Sequence, residues 1–185
     1  MVSIKNMLKE SSKVLENAAM KHEAAENISQ ALVACLKRGN KIMLAGNGGS
    51  AAEATHIAAE FTGRYKKERN GLPAISLASD MAAITAIGND YGFEKIFSRQ
   101  IEALGTKGDV LILLSTSGNS QNLINAIEKA KKLSIGTVAL LGKEGGTMKG
   151  KCDHEIIVQS DNTPRIQEAH LAIMHSICEK VEEHW

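Results

Sequence analysis

From residue 2 to residue 38 the chain has neither proline nor glycine, and its apolar residues recur at helical intervals. Val14, Leu15, Ala18 and Ala19 form one such set, and Ile28, Ala31, Leu32, Cys35 and Leu36 another. The spacing predicts two helices or one bent helix, ending at Arg38-Gly39-Asn40, where a basic residue followed by glycine suits a C-terminus. Beyond this the pattern alternates. Short apolar runs at Lys41–Ala45, Ala74–Leu77, Asp109–Leu114, Gly136–Leu141 and His154–Val158 read as strands. Helical spacing fills Ser50–Lys66, Asp80–Ile87, Phe93–Leu104, Ser120–Lys132 and Arg165–Glu183. The strand runs are continuous rather than alternating, as expected when both sheet faces are covered. Strand–helix alternation of this kind predicts an α/β fold, a doubly wound five-stranded parallel sheet, in a single domain over residues 1–185. Two helices before the first strand are more than one sheet face needs. The surplus apolar surface of residues 1–38 points to an oligomer interface.

Composition narrows the function classes. A length of 185 residues allows one domain with a sizeable core. Lys and Arg total 22 against 21 Asp and Glu, and the densest basic stretch, Lys149-Gly150-Lys151, reads as a solvated turn. No nucleic-acid partner is expected from such a balance. Aromatic residues are only 3% of the chain, so aliphatic side chains must fill the core. Cys35, Cys152 and Cys178 are odd in number and widely spaced, with no C-x-x-C pair, which suits reduced thiols in a cytoplasmic protein. The first residues lack the apolar core of a signal peptide, and no 18-residue apolar run predicts a membrane span. No internal repeat or linker interrupts the chain, and its two prolines, Pro73 and Pro164, precede predicted elements.

In open α/β sheets ligands bind beyond the carboxyl ends of the strands, and two loops there carry chemistry. Gly46, Gly48 and Ala51 fit G-x-G-x-x-A, the dinucleotide fingerprint. The acid that should hold the ribose, about 20 residues on, is missing, because Asp80 lies too far along, and no nucleotide cofactor is expected. The loop's backbone, through Asn47, Gly48 and Gly49, still offers amide donors to a ligand. The second loop is Ser115-Thr116-Ser117-Gly118-Asn119-Ser120. Its hydroxyls, a permissive glycine and the free N–H groups of the following helix suit a phosphate monoester. It lacks the lysine of a nucleoside triphosphate loop. A plain N-cap serine would explain Ser120 but does not require four hydroxyls.

His56 and Glu60 are four residues apart and share a helix face. A weak surface pair would look the same, yet Ile57, Ala58 and Ala59 around them are apolar. The last predicted helix carries Gln167, Glu168, His170 and His175. At about 100° per residue Glu168 lines up with His175, while Gln167 sits about 80° away. Angle alone therefore selects Glu168 as the partner of His175. His170 reads as a core or capping residue with no assigned role.

Four stretches together, "AGNGGSAAEATHIAAEFTGRY", "AIGNDYGFEKIFSRQ", "LLSTSGNSQN" and "TPRIQEAHLAIMHSICE", resemble the phosphoheptose isomerases of the sugar isomerase (SIS) superfamily. The likeness spans nearly the whole chain and implies the flavodoxin-like SIS fold with extra N-terminal helices. It implies interconversion of D-sedoheptulose 7-phosphate and D-glycero-D-manno-heptose 7-phosphate through an enediol or enediolate, with Glu60 as base and His175 as acid. It implies one zinc ion per subunit at His56, Glu60, Gln167 and His175, choosing Gln167 through "RIQE" where angle chose Glu168. The residues alone leave open whether Glu60 and His175 act as acid and base or mainly as metal ligands. Phosphate would sit on Ser115, Thr116, Ser117 and Ser120, and the sugar on Asn47, Gly48, Gly49, Glu60, Gln167, Asn89 and Asp90. Ser50 is a weaker substrate candidate, and Arg64 is equally a substrate or an interface residue. The likeness also implies a homotetramer with active sites at subunit interfaces. There is one departure: Pro164 occupies the place of an acid before the arginine of "RIQ". Some SIS proteins of this type are non-catalytic and bind the replication initiator, having lost the catalytic pair; this chain keeps Glu60 and His175.

Overall fold

The computed structural model describes residues 3–185. Two separate helices open the chain, α1 (Ile4–Ala19) and α2 (His22–Lys37). Then come β1 (Ile42–Gly46), α3 (Gly49–Thr62), β2 (Ala74–Ser76), α4 (Met81–Tyr91) and α5 (Ile96–Leu104). The chain closes with β3 (Val110–Ser115), α6 (Gln121–Lys132), β4 (Gly136–Gly142), β5 (His154–Val158) and α7 (Thr163–Glu182). All strand pairs are parallel, in the order β2-β1-β3-β4-β5. The expected doubly wound five-stranded sheet is present, with strand boundaries within about one residue of the apolar runs.

Each strand feeds both faces. Ile42, Leu44, Val110, Ile112, Leu114, Val138 and Leu140 pack with α1, α2, α3 and α7. Met43, Ala45, Leu111, Leu113, Ala139 and Leu141 pack with α5 and α6 on the other side. This explains the continuous apolar runs, since period-two side chains find a dry layer either way. The outer helices are less covered. α1 buries only Val14 and Ala18, leaving Ile4 and Leu8 exposed, and α4 buries nothing fully while exposing Met81 and Tyr91.

The strand order reverses between β1 and β3. Both candidate ligand loops leave the sheet at this switch point, the place where open α/β sheets bind ligands at the carboxyl edge.

Two elements depart from expectation. The helix expected to stop at Ile87 runs on through Gly88 to Tyr91 and stops at Gly92, whose φ of +91° suits glycine. Asn89 and Asp90, which lie past the end of the predicted helix, therefore sit in the last turn of α4. The helix expected to reach Lys66 ends at Thr62, and residues 63–73 form a loop that doubles back to β2.

Candidate active site

The loop after β1 is shaped by its glycines. Gly48 has φ +57° and ψ −123°, a region closed to other residues. A Cβ at Gly49 would run into the Gln167 side-chain amide. α3 starts at once, so its first N–H groups face the loop.

One, two and three turns into α3 stand Glu53, His56 and Glu60. His56 and Glu60 meet His175 from α7 in one cluster, and their ligand-type atoms all lie within 4.8 Å of one another. His56 Nε2 is 2.8 Å from His175 Nε2 and 3.4 Å from Glu60 Oε1. At 2.8 Å one neutral imidazole donates N–H to the lone pair of the other. Burial, then the charge of His56, holds the His175 pKa below its ordinary value, against the pull of Glu60. The three side chains come from a single chain, so no neighbour is needed to gather them.

The donor set fits zinc. Ligands at about 2.0–2.1 Å around a tetrahedral ion lie about 3.4 Å from each other, and the His56–Glu60 separation is 3.4 Å. Two imidazole nitrogens and a carboxylate oxygen pointing at one spot are the chemistry such an ion takes.

Gln167 and Glu168 diverge. Gln167 reaches the glycine loop, its amide against Gly49. Glu168 is turned to Arg165, at 2.9 Å, on the side where Arg165 also contacts Ser11 of α1. Residues 168 and 175 share an angle but lie about 10 Å apart along the axis, so one stripe serves two neighbours. His170 is fully buried, its Nε2 3.1 Å from the Leu141 carbonyl and its Nδ1 without a partner. Burial drives its pKa down to about 4.

The Ser/Thr loop is a preformed cup. Ser115 Oγ accepts from the Gly118 N–H at 3.0 Å, and Ser117 Oγ from the Asn119 N–H at 3.2 Å. Gly118, at φ +65°, lies so close to Gly145 that any Cβ would collide with its carbonyl. The turn Gly145–Met148 backs the cup, with Thr147 N–H on Asn119 Oδ1 and Met148 N–H on the Gly118 carbonyl. Ser120 occupies the N-cap of α6, yet its hydroxyl makes no capping bond. That hydroxyl is free to meet a ligand, as a plain N-cap serine would not be.

Asn47 spends its side chain on Asn122 of α6. The two amides exchange reciprocal hydrogen bonds of 2.9 Å each. What Asn47 offers a ligand is thus its backbone. Ser50 is buried in the first turn of α3. Thr116 lies between the two locally bonded serines. Asn89 Nδ2 donates to Asp90 Oδ1 at 2.8 Å, and both are exposed on α4. Arg64 is a surface residue pairing loosely with Glu68 at 3.6 Å. Pro164 lies in the first turn of α7, where it costs no hydrogen bond.

Sequence reasoning missed Asn122 and Glu53. Glu53 is nearly buried, with no hydrogen-bond partner on either oxygen. Burial pushes its pKa up to about 7, opposed by the nearby Ser50 hydroxyl. The spacing Glu53–His56–Glu60 put it on the site face of the helix and was the signal available.

Residues 6–142 match the SIS domain family. A phosphoheptose isomerase of Aliarcobacter butzleri is 55% identical over 160 residues, covering 86% of this chain and 85% of that protein. Phosphoheptose isomerase 1 of Campylobacter jejuni is 50% identical over 174 residues, covering 94% of each. The solved phosphoheptose isomerase of Francisella tularensis superposes with a TM-score of 0.94 at 37% identity, covering 97% of this chain and 96% of that one. The chain belongs to the SIS domain family. Within it, relatives of this similarity over nearly full length make the chain an isomerase.

Proposed function

We propose that this enzyme interconverts D-sedoheptulose 7-phosphate and D-glycero-D-manno-heptose 7-phosphate, the opening step toward nucleotide-activated heptose for surface glycans. The observation that carries the reading is the meeting of Glu60 and His175 from separate helices, on the helix that begins at the glycine loop. The names of the relatives supply the substrate class.

Ser115, Thr116, Ser117 and Ser120 hold the phosphate, with the N-terminus of α6 favouring its charge. The amides of Asn47, Gly48 and Gly49, with Gln167 and the polar pair Asn89–Asp90, hold the sugar hydroxyls. Fixing the phosphate end orients the open chain so that C1 and C2 present themselves to α3 and α7. Glu60 removes the proton from one carbon and returns it to the other. His175 moves the proton between the two oxygens. A carboxylate has two oxygens and an imidazole two nitrogens, so each keeps a working atom besides the one in the cluster. His56, Glu60 and His175 would hold one zinc ion, which when bound supplies Lewis acidity to the sugar oxygens; Gln167, with its amide at Gly49, is left to the sugar and not to the ion.

A homotetramer with active sites at subunit interfaces is part of the proposal. The exposed apolar residues of α1 and α4 support it, since monomers rarely leave such surface bare. Three unpaired thiols suit a cytoplasmic setting. The test is proton NMR of sedoheptulose 7-phosphate with the protein in heavy water. Deuterium entering the exchanging carbon is the expected result; binding without exchange would leave a phosphosugar-binding protein.

A further inference from the structure

The loop between α3 and β2 is tied down with more bonds than a connection needs. Glu182, near the end of α7, accepts from the backbone N–H of Tyr65 at 3.1 Å and from those of Lys66 and Lys67 at 2.8 Å each. Arg69 closes the arrangement. Its Nε donates to Glu182 at 3.1 Å, and its other nitrogens donate to the carbonyls of Glu60 at 2.8 Å and Phe61 at 2.9 Å. Both side chains are almost wholly buried, 3% and 2% exposed. Such a pair is kept only when every donor and acceptor is matched, as here. Its effect is to join the last turn of α3, which carries Glu60, to the helix that carries His175.

The residue this latch delivers is Tyr65. Its ring lies nearly parallel to the His175 imidazole, with centroids 5.5 Å apart and planes 25° apart. His56 meets the same imidazole edge-on, at 5.1 Å and 82°. His175 is therefore bounded by two rings at different angles. Rotation about its Cβ–Cγ bond would break the stack and swing Nε2 away from His56 and Glu60. The opposite nitrogen, Nδ1, makes no hydrogen bond to a carboxylate or carbonyl among the described residues, the usual means of fixing such a ring. The aromatic face does that task here.

We propose that Tyr65, seated by the Arg69–Glu182 latch, is a positioning residue that sets the plane of the His175 imidazole so that Nε2 faces His56 and Glu60. This rests on the reading of His175 as part of the reactive centre. The aromatic face is what matters, and the hydroxyl is dispensable.

The experiment compares wild type, Tyr65→Phe and Tyr65→Leu, with Tyr65→Met standing in if the leucine variant does not fold. In metal-stripped, histidine-labelled protein, the nuclear Overhauser effect between the His56 and His175 rings is measured. It is expected to persist in wild type and Tyr65→Phe and to vanish in the aliphatic variant, while thermal midpoints show both variants folded. Zinc affinity, titrated against a chromophoric chelator, is expected to fall about tenfold in the aliphatic variant only. An unchanged ring-to-ring effect in the aliphatic variant overturns the proposal whatever the titration gives. A wild type that binds no zinc removes the metal reading, and the ring-to-ring effect then decides the role of Tyr65 by itself.

Discussion

Asn47 and Asn122 lock the loop after β1 to the first turn of α6 through a closed pair of amide hydrogen bonds, 2.9 Å each way. The glycine loop and the Ser/Thr cup leave the sheet on adjacent strands, so this pair fixes the distance between the parts proposed to hold the sugar and the phosphate. Replacing Asn122, which is buried, removes the partner of both hydrogen-bonding atoms of the half-buried Asn47. Asn122→Ala should cost about 1–3 kcal/mol of stability and raise KM for the phosphosugar. In a double-mutant cycle with Asn47→Ala, urea denaturation should give a coupling of about 0.5–3 kcal/mol. Strict additivity would show that the pair does not act as a unit.

Glu60→Gln keeps shape and polarity but removes the proposed base. Turnover should fall by on the order of 10²–10⁴, while calorimetric binding of the phosphosugar, whose proposed grip lies on the Ser/Thr cup, changes little. An enzyme that keeps full activity with glutamine here would need another base.

Chelation tests the metal ligands. Exhaustive dialysis against a strong chelator should lower activity, and zinc should restore it. His56→Ala should weaken zinc binding sharply, since three protein side chains supply the cluster. Undiminished activity in protein shown by elemental analysis to be metal-free would remove zinc from the mechanism.

The sheet was legible in the sequence because its three central strands, β1, β3 and β4, are largely apolar runs of five to seven residues, and parallel sheets demand such runs. Helix ends were less so. Gly88 reads as a terminator, yet in α4 it lies inside the helix, a Cβ there meeting only Ile96 at 3.7 Å, and the true stop is Gly92. That shift carried Asn89 and Asp90 from a loop into a helix. His56 and Glu60 were visible because their spacing is local. Asn122, Tyr65 and the Arg69–Glu182 pair were not, because each acquires meaning only from a partner 75 or more residues away. The choice between Gln167 and Glu168 shows the limit of angular reasoning, which fixes a side chain's direction but not its height along the axis.

Arg69 should resist even a conservative exchange. Its guanidinium bonds Glu182 and several carbonyls at once, a fork that a lysine ammonium cannot reproduce. Burial works against ionised Glu182, but the amides of residues 65–67 and Arg69 together hold its pKa below the ordinary carboxylate value. Arg69→Met takes the guanidinium away from this buried carboxylate, and the urea midpoint should drop by the equivalent of about 3–5 kcal/mol. Arg69→Lys should recover only part of that. A loss under about 1 kcal/mol in either, well short of a broken buried pair, would mean that the backbone amides suffice.

Glu53 and His170 should pull stability in opposite directions over the same pH range. The folded state raises Glu53 from 4.5 to about 7. Its contribution is complete below pH 4.5, where both states are protonated, and is lost as pH climbs to 7. The folded state lowers His170 from 6.5 to about 4. Its contribution is complete above pH 6.5, where both states are neutral, and is lost as pH falls to 4. Each shift corresponds to about 3 kcal/mol, so between pH 4.5 and 6.5 the two slopes nearly cancel and wild type should show little net dependence from this pair. Single substitutions unmask them. Relative to wild type, Glu53→Gln should gain stability as pH rises from 4.5 to 7, and His170→Gln should gain it as pH falls from 6.5 to 4. Urea denaturation in a series of buffers measures both differences. Curves that run parallel to wild type throughout would mean that neither side chain is held neutral by its burial.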